Sequence, residues 1–375
     1  MSGEAERGRD CYKMVTGVHE DDIHGMVVVV GRDRQQKILS GSKDTTVKRF
    51  DSEGIFEALL TRNPEGSSYS NWVTAIDAFP DGSFVAGHRN SYLLCRSLSG
   101  TQTYFSKKMS KPDESSAKPS AGAGRGSDHG VGKRGERGKF YKKRNETRIT
   151  AVKTFFDPAT SAYQAFIGLP EAFIQLDLVT GAPLRGYHFS KPEWVYGFQL
   201  ISPVVLLAIH GCALSTFNIE RKPTLIKTIV EESGAGAGDR AAQRPFISSV
   251  LPMPGDAEEV VVDKVALSFF GGRNEVRDTE TGAVIHVGHE HELRVWQAVP
   301  YSSHEYATCA DDGLVKLWDI RDGESSVKTY SGHPGRVSAL AFLRDKKLVA
   351  GTCAPNPFED PDKAQFYFYD LRGGK

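Results

Sequence analysis

Arg294-Val-Trp-Gln-Ala-Val-Pro300, Tyr306-Ala-Thr-Cys-Ala-Asp-Asp-Gly313 and Leu314-Val-Lys-Leu-Trp-Asp319 follow one another in the last third of a 375-residue chain. Each run is short and rich in β-branched, aromatic and small apolar residues, and Asp312-Gly313 between the second and third is tight-turn chemistry. The stretch predicts three antiparallel strands rather than a helix. Its first strand carries an apolar pair three positions apart, Val295/Ala298, and that pair recurs seven times: Ile23/Met26, Val73/Ile76, Ile149/Val152, Val195/Phe198, Ile247/Val250, Val295/Ala298 and Val337/Leu340. Successive starts lie 50, 76, 46, 52, 48 and 42 residues apart. Most of these fall near the period of about 40–50 residues expected of four-stranded propeller blades. No long amphipathic helix interrupts the rhythm, so the expected class is all-β.

Punctuation of the units carries a resemblance. Gly288-His289 opens the sixth unit and Trp318-Asp319 closes its third strand. Gly332-His333 opens the seventh, where Tyr369-Asp370 replaces Trp-Asp; in the first, His19 precedes Ser40-Gly-Ser-Lys-Asp44 and Phe50-Asp51. In these features the chain resembles the WD-repeat family of β-propellers. The resemblance implies a structural tetrad of His, Ser/Thr, Asp and Trp across a blade. That would be His289, Thr308, Asp312 and Trp318 in the sixth, and His19, Ser40 and Asp44 with Phe50 in the first; His333 leads the seventh. Buried polar chains of this kind are stable only when each member is bonded. Units two to five keep the strand rhythm without the full tetrad.

The last unit ends after its third strand, Phe366-Tyr-Phe-Tyr-Asp-Leu-Arg372, while Cys11-Tyr-Lys-Met-Val-Thr16 has strand composition and no earlier partners. The expected fold is a seven-bladed propeller closed by this N-terminal strand, which removes exposed sheet edges. Residues 1–10 are expected to be a flexible N-terminus and 11–375 a single propeller, with a disordered basic insertion at 107–147 and a flexible loop at 231–244. Lys107 to Arg148 holds thirteen Lys/Arg against five Asp/Glu, a local charge of +8 in a chain whose totals, 47 and 47, cancel. So few aliphatic residues cannot offset the entropy of ordering. The insertion reads as a solvated loop, an arm for RNA or an acidic partner, or a nuclear import signal. Its two aromatics, Phe140 and Tyr141, are few for a stacking platform.

Other classes find little footing. The polar start lacks the apolar core of a signal peptide, and no run is long enough to cross a bilayer. Cys11, Cys95, Cys212, Cys309 and Cys353 are odd in number and lack Cys-x-x-Cys spacing, which fits buried thiols in a reducing compartment. The expectation is a cytoplasmic protein, with a nuclear pool as the alternative. Gly234-x-Gly236-x-Gly238 has neither a following helix nor the basic residue a nucleotide requires. His286, His289 and His291 cluster in a turn without a carboxylate set at metal spacing, and no Ser/His/Asp set assembles. The Phe-Arg-Arg-Gly signature of phosphoinositide-binding propellers is absent. No catalysis, cofactor or metal is expected.

A partner site is read from the residue before each strand start, which in the resembled family lies on the rim of the central channel: Asp22, Trp72, Arg148, Trp194, Phe246, Arg294 and Arg336. Two Trp, one Phe and three Arg in seven is the composition of an interface hot spot. The alternative is that Trp72 and Trp194 pack between blades. The resemblance also gives Trp318-Asp319-Ile-Arg321 a second meaning, since Trp-Asp-x-Arg at a blade end is used by substrate receptors of cullin–RING ubiquitin ligases to dock on their adaptor. Tyr369-Asp-Leu-Arg372 is a weaker copy, and the ordinary repeat pattern also generates this tetrapeptide. The expected function is a non-catalytic scaffold that binds protein or peptide segments over the channel mouth. The alternatives are a ligase substrate receptor and a ribonucleoprotein or ribosome assembly factor using the basic insertion.

Overall fold

The computed structural model describes residues 11–31, 33–62, 71–101, 103–109, 148–157, 160–189, 194–231, 246–254, 262–353 and 364–373. Seven four-stranded antiparallel sheets stand around one axis. Their innermost strands are Ile23–Val30, Val73–Ala78, Ala151–Asp157, Val195–Ser202, Ile247–Pro252, Val295–Pro300 and Val337–Leu343, numbered here as blades one to seven. Each blade runs outward through three further strands in chain order, except the last. There the outermost place is taken by Cys11–His19, paired antiparallel to Ala364–Asp370 with Cys11 opposite Tyr369 and Val15 opposite Phe366. The ring is thus closed by its N-terminal strand.

Packing between sheets supplies the core. All seven strand-start residues, Ile23 through Val337, have no exposed surface. Between blades three and four, Phe166, Phe173, Phe198 and Phe217 interlock with Val195 and Leu206, with the Phe173 and Phe217 rings edge to face at 5.2 Å. Fully burying one such side chain is worth about 1.5–3 kcal/mol. The blades approach so closely that the second strand must lack a side chain at the contact. A Cβ on Gly41 would lie 2.5 Å from Val73 Cγ1, and one on Gly87 would lie 2.4 Å from Ile149 Cγ2.

Polar links cross the same seams. Thr74 Oγ1 donates to the Ile149 carbonyl at 2.7 Å, and the Ser248 and Ser338 hydroxyls donate to the carbonyls of Val295 and Ile23. Each bond joins one blade to the start of the next, so the ring is stitched at its inner edge.

Two boundaries differ from the sequence reading. Lys107 and Lys108, assigned to the insertion, complete the outer strand Thr103–Lys108 opposite Leu93 and Tyr92. Glu231, assigned to the second loop, ends the strand Thr224–Glu231 opposite Ala213. An outer strand needs only its backbone for pairing, so charged residues do not stop it. Residues 1–10, 110–147 and 232–244 of the predicted flexible segments lie outside the described residues.

Candidate partner-binding face at the channel mouth

The apolar signature has its two members three residues apart, out of phase with a regular strand, in which positions i and i+2 share a face. The ladders show why. Register slips between the first and third residues of six inner strands: Ile23/Gly25, Val73/Ala75, Val195/Gly197, Ile247/Ser249, Val295/Gln297 and Val337/Ala339. In these six strands the residue after the start is the extra residue of a β-bulge, a device that re-aims a side chain. That position in all seven blades forms a second ring that sequence reasoning missed: His24, Thr74, Thr150, Tyr196, Ser248, Trp296 and Ser338 all line a central cavity of about 480 Å³. The i, i+3 spacing was itself the signal for the bulge. Thr74, Ser248 and Ser338 bond across the seams, while His24, Tyr196 and Trp296 line the cavity.

The predicted rim residues meet this second ring in distinct ways. Asp22, buried, is ion-paired with Arg336, and Lys43 Nζ stands 3.6 Å from the same carboxylate. Trp72 is partly buried; the His24 ring stacks on it with centroids 6.0 Å apart, and the Lys43 ammonium and Arg89 guanidinium lie 4.7 and 4.4 Å from its ring centroid. Arg148 lies 5.6 Å from the centroid of Trp194, which is 39 % exposed. Phe246 meets Phe270 at 5.7 Å and Tyr196 at 6.4 Å. Arg294 is held 3.7 Å from the Phe270 centroid and 3.5 Å from that of Trp296, and Arg336 also faces Trp296 at 5.8 Å. His24 touches the edge of Trp296 at 6.5 Å. An unbroken chain of contacts therefore runs from Trp72 through His24, Trp296, Arg294 and Phe270 to Phe246 and Tyr196. Burial drives the His24 ring down to about 4 and the Arg294 guanidinium down to about 10.

The tetrads support the mouth from outside. In blade one, His19 Nδ1 is 2.8 Å from Asp44 Oδ2 and Nε2 is 2.7 Å from Ser40 Oγ. Burial lowers the pKa of His19. Burial opposes ionisation of Asp44 as well, but bonds from His19 and Thr46 overcome it and hold that carboxyl well below its usual range. The ring is thus neutral, donating from Nδ1 and accepting from the serine. Phe50 meets the ring edge at 6.3 Å in place of a tryptophan.

The sixth blade corrects the sequence assignment. His291, not His289, takes the tetrad place: Nδ1 is 2.8 Å from Asp312 Oδ2 and Nε2 is 2.8 Å from Thr308 Oγ1. The indole of Trp318 donates to the same hydroxyl at 2.8 Å. His289 is exposed, with its Nε2 3.3 Å from the Gly271 carbonyl. The Gly-His dipeptide drew the assignment to the wrong histidine. His19, His291 and His333 each precede their strand start by four residues, whereas His289 precedes Val295 by six. In the seventh blade, among the described residues, His333 joins no Ser/Thr–Asp pair; its Nε2 meets the Tyr369 hydroxyl and its Nδ1 lies 2.6 Å from the Gly313 carbonyl.

The Trp318–Arg321 segment has a local explanation. Asp319 accepts the Arg321 backbone N–H at 3.0 Å and takes the guanidinium through Nε at 2.9 Å and Nη2 at 2.6 Å. Asp370 and Arg372 repeat this geometry in blade seven. Trp318 is 1 % exposed, so this segment offers solvent the outer edge of Arg321.

Comparison with known proteins agrees with this geometry. The family model "WD domain, G-beta repeat" matches residues 282–319 and 324–354, the sixth and seventh units. The chain is 30 % identical over 101 residues to WD repeat-containing protein pop1 of Schizosaccharomyces pombe, covering 27 % of this chain and 12 % of that one. It is 32 % identical over 118 residues to Protein SPA1-RELATED 4 of Arabidopsis thaliana, covering 31 % and 14 %. The chain thus matches only a small part of the length of these relatives. A crystal structure of the WD40 β-propeller domain of Doa1 superposes with a TM-score of 0.64 over 97 % of this chain and 98 % of that one, at 12 % identity. The sixth and seventh units thus match WD repeats, and the seven closed blades are those of a β-propeller. Such propellers serve in general as platforms for protein interaction. Among the described residues no helix is long and apolar enough to cross a membrane, and no group of three or more His, Cys, Asp or Glu could hold a metal ion.

Proposed function

We propose that this chain is a non-catalytic scaffold that holds an extended segment of a partner protein across the channel mouth. The observation that carries this reading is the continuous aromatic and cationic surface from Trp72 through His24, Trp296 and Arg294 to Phe270. Tryptophan and arginine dominate binding hot spots because they combine large apolar area with directed polar contacts at low entropic cost. Ring closure and the seam hydrogen bonds hold His24 and Trp296 on inner strands, with Trp72 and Arg294 immediately before theirs, which favours a preorganised site.

The test is a Trp72→Ala/Trp194→Ala double variant used as bait in the native cell. Each anchor is worth roughly 2 kcal/mol or more, about thirtyfold in affinity. The variant should stay folded and lose the principal partner. Retention of that partner by a folded variant would move the interface to the blade sides or the basic segment, and unfolding would assign the tryptophans to packing. The same purification addresses the two narrower readings. A ligase adaptor lost on Arg321→Ala would identify a substrate receptor, and steeply salt-dependent RNA binding lost with residues 110–147 would identify a ribonucleoprotein factor.

A further inference from the structure

Arg294 differs from the other cations of the mouth. Arg336 and Lys43 face Asp22, and Lys43 also faces Asp21 at 3.6 Å. Arg294 is clamped between Phe270 and Trp296, yet its Nε is buried without a hydrogen-bond partner, and no hydrogen bond to its guanidinium occurs among the described residues. Asp311, whose backbone N–H donates to the Arg294 carbonyl at 2.9 Å, has one carboxylate oxygen occupied by the Trp296 indole N–H at 2.6 Å. Across Trp296, the buried Nε2 of His24 is likewise without a partner. Buried charges in proteins are ordinarily paired. A guanidinium locked in place by two rings, with its fork unclaimed at the wall of an open cavity, is a preorganised anion receptor.

Resting on the proposed role of the mouth in binding a protein segment, we propose that the channel mouth is a receptor for one carboxylate, an Asp or Glu side chain of that segment, gripped by the Arg294 fork. Charge selects a monoanion. The cations Arg294, Arg336, Lys43 and Arg89 stand against Asp21, Asp22 and Asp311, which leaves an excess of one positive charge. A phosphate dianion would need a second free cation and would lie close to Asp311. Trp296 and Trp72 then form apolar walls for the residues flanking the acid, and the His24 imidazole offers one more hydrogen bond.

The experiment uses the full chain and an immobilised array of short peptides in which a central Glu is replaced by Gln or by phosphoserine within otherwise identical apolar flanks. Wild type should bind the Glu peptides roughly tenfold or more tightly than their Gln counterparts, the loss expected of a charge-assisted pair. Arg294→Gln should erase that preference, and Arg294→Lys, which keeps the charge but loses the fork and the stacking, should recover little of it. Unchanged melting of both variants excludes misfolding, and should Arg294→Gln not fold, the lysine variant alone decides. No Glu-over-Gln preference, or a preference that survives both variants, overturns the proposal, as does tighter binding of phosphoserine than of Glu. The two readings fail separately. Binding indifferent to the acid but lost in Trp72→Ala/Trp194→Ala refutes the carboxylate receptor and leaves the mouth as the interface, whereas partner capture unaffected by the tryptophan variant refutes the mouth itself.

Discussion

Replacing His291 by alanine removes the centre of a buried chain in which Trp318 donates to Thr308, Thr308 to His291, and His291 to Asp312. Thr308 is fully buried and the Asp312 side chain is 7 % exposed, so neither recovers its lost bond from bulk water. The damage is partial, because Thr308 keeps Trp318 and Asp312 keeps the backbone N–H groups of Glu292 and Leu314 at 3.2 and 3.0 Å. Two groups each losing one bond, with the void left by the imidazole, should cost about 2–4 kcal/mol. That corresponds to a fall of roughly 2.5–5 °C in Tm for a domain of this size. His289→Ala should stay within about 0.5 kcal/mol of wild type, since that ring is exposed and makes one long bond. The assay is urea unfolding of both variants followed by circular dichroism, with Asp312→Ala and the His291→Ala/Asp312→Ala double variant completing a cycle. The double variant should be less destabilised than the sum of the singles. A wild-type midpoint for His291→Ala, or an equal loss for His289→Ala, would refute the assignment.

How much of this was legible follows from which physical constraints are local. The repeat, the all-β class and closure by Cys11–His19 were readable because each strand start must be apolar to fill a seam between blades, and because an incomplete last blade demands a fourth strand. What the candidate rim residues contact was not readable, since Phe270 reaches Arg294 from the neighbouring blade and Trp296 does so only where the strand bulges. The bulge was encoded in the three-residue spacing but passed unread, and with it the ring containing His24 and Trp296. His289 was chosen on the Gly-His dipeptide, although distance to the strand start is what geometry enforces. A tetrad histidine must reach the second strand of its blade, so its separation from the first strand is fixed while the residue before it is free. The strand ends at Lys108 and Glu231 were missed for the opposite reason: composition describes side chains, and an outer strand is held by its backbone.

Three further outcomes are expected. Deleting residues 1–16 should expose the edge of Ala364–Asp370, which pairs with Cys11, Lys13, Met14 and Val15; size-exclusion chromatography should show aggregated or multimeric protein, and a stable monomer would refute closure. Stability should fall as pH drops from about 6.5 to 4, because burial lowers the folded-state pKa of His24 to about 4, and those of His19 and His88 as well. In that window the unfolded chain binds protons that the folded chain excludes, His24 alone contributing up to about 3 kcal/mol, and urea midpoints in His24→Ala should be less pH-dependent than wild type. Lastly, the inter-blade seam can be tested by steric complementation at Gly87, where a Cβ would stand 2.4 Å from Ile149 Cγ2 and 3.1 Å from Val152 Cγ2. Gly87→Ala should cost about 1–3 kcal/mol by overpacking, and Ile149→Ala about 2–5 kcal/mol by opening a cavity. If the two strands truly meet at that carbon, the new methyl occupies space that the isoleucine vacates, so the double variant should be more stable than the sum of the single losses predicts. Strict additivity of the two urea midpoints would mean that the seam yields elsewhere and that Gly87 is not held by close approach of the third blade.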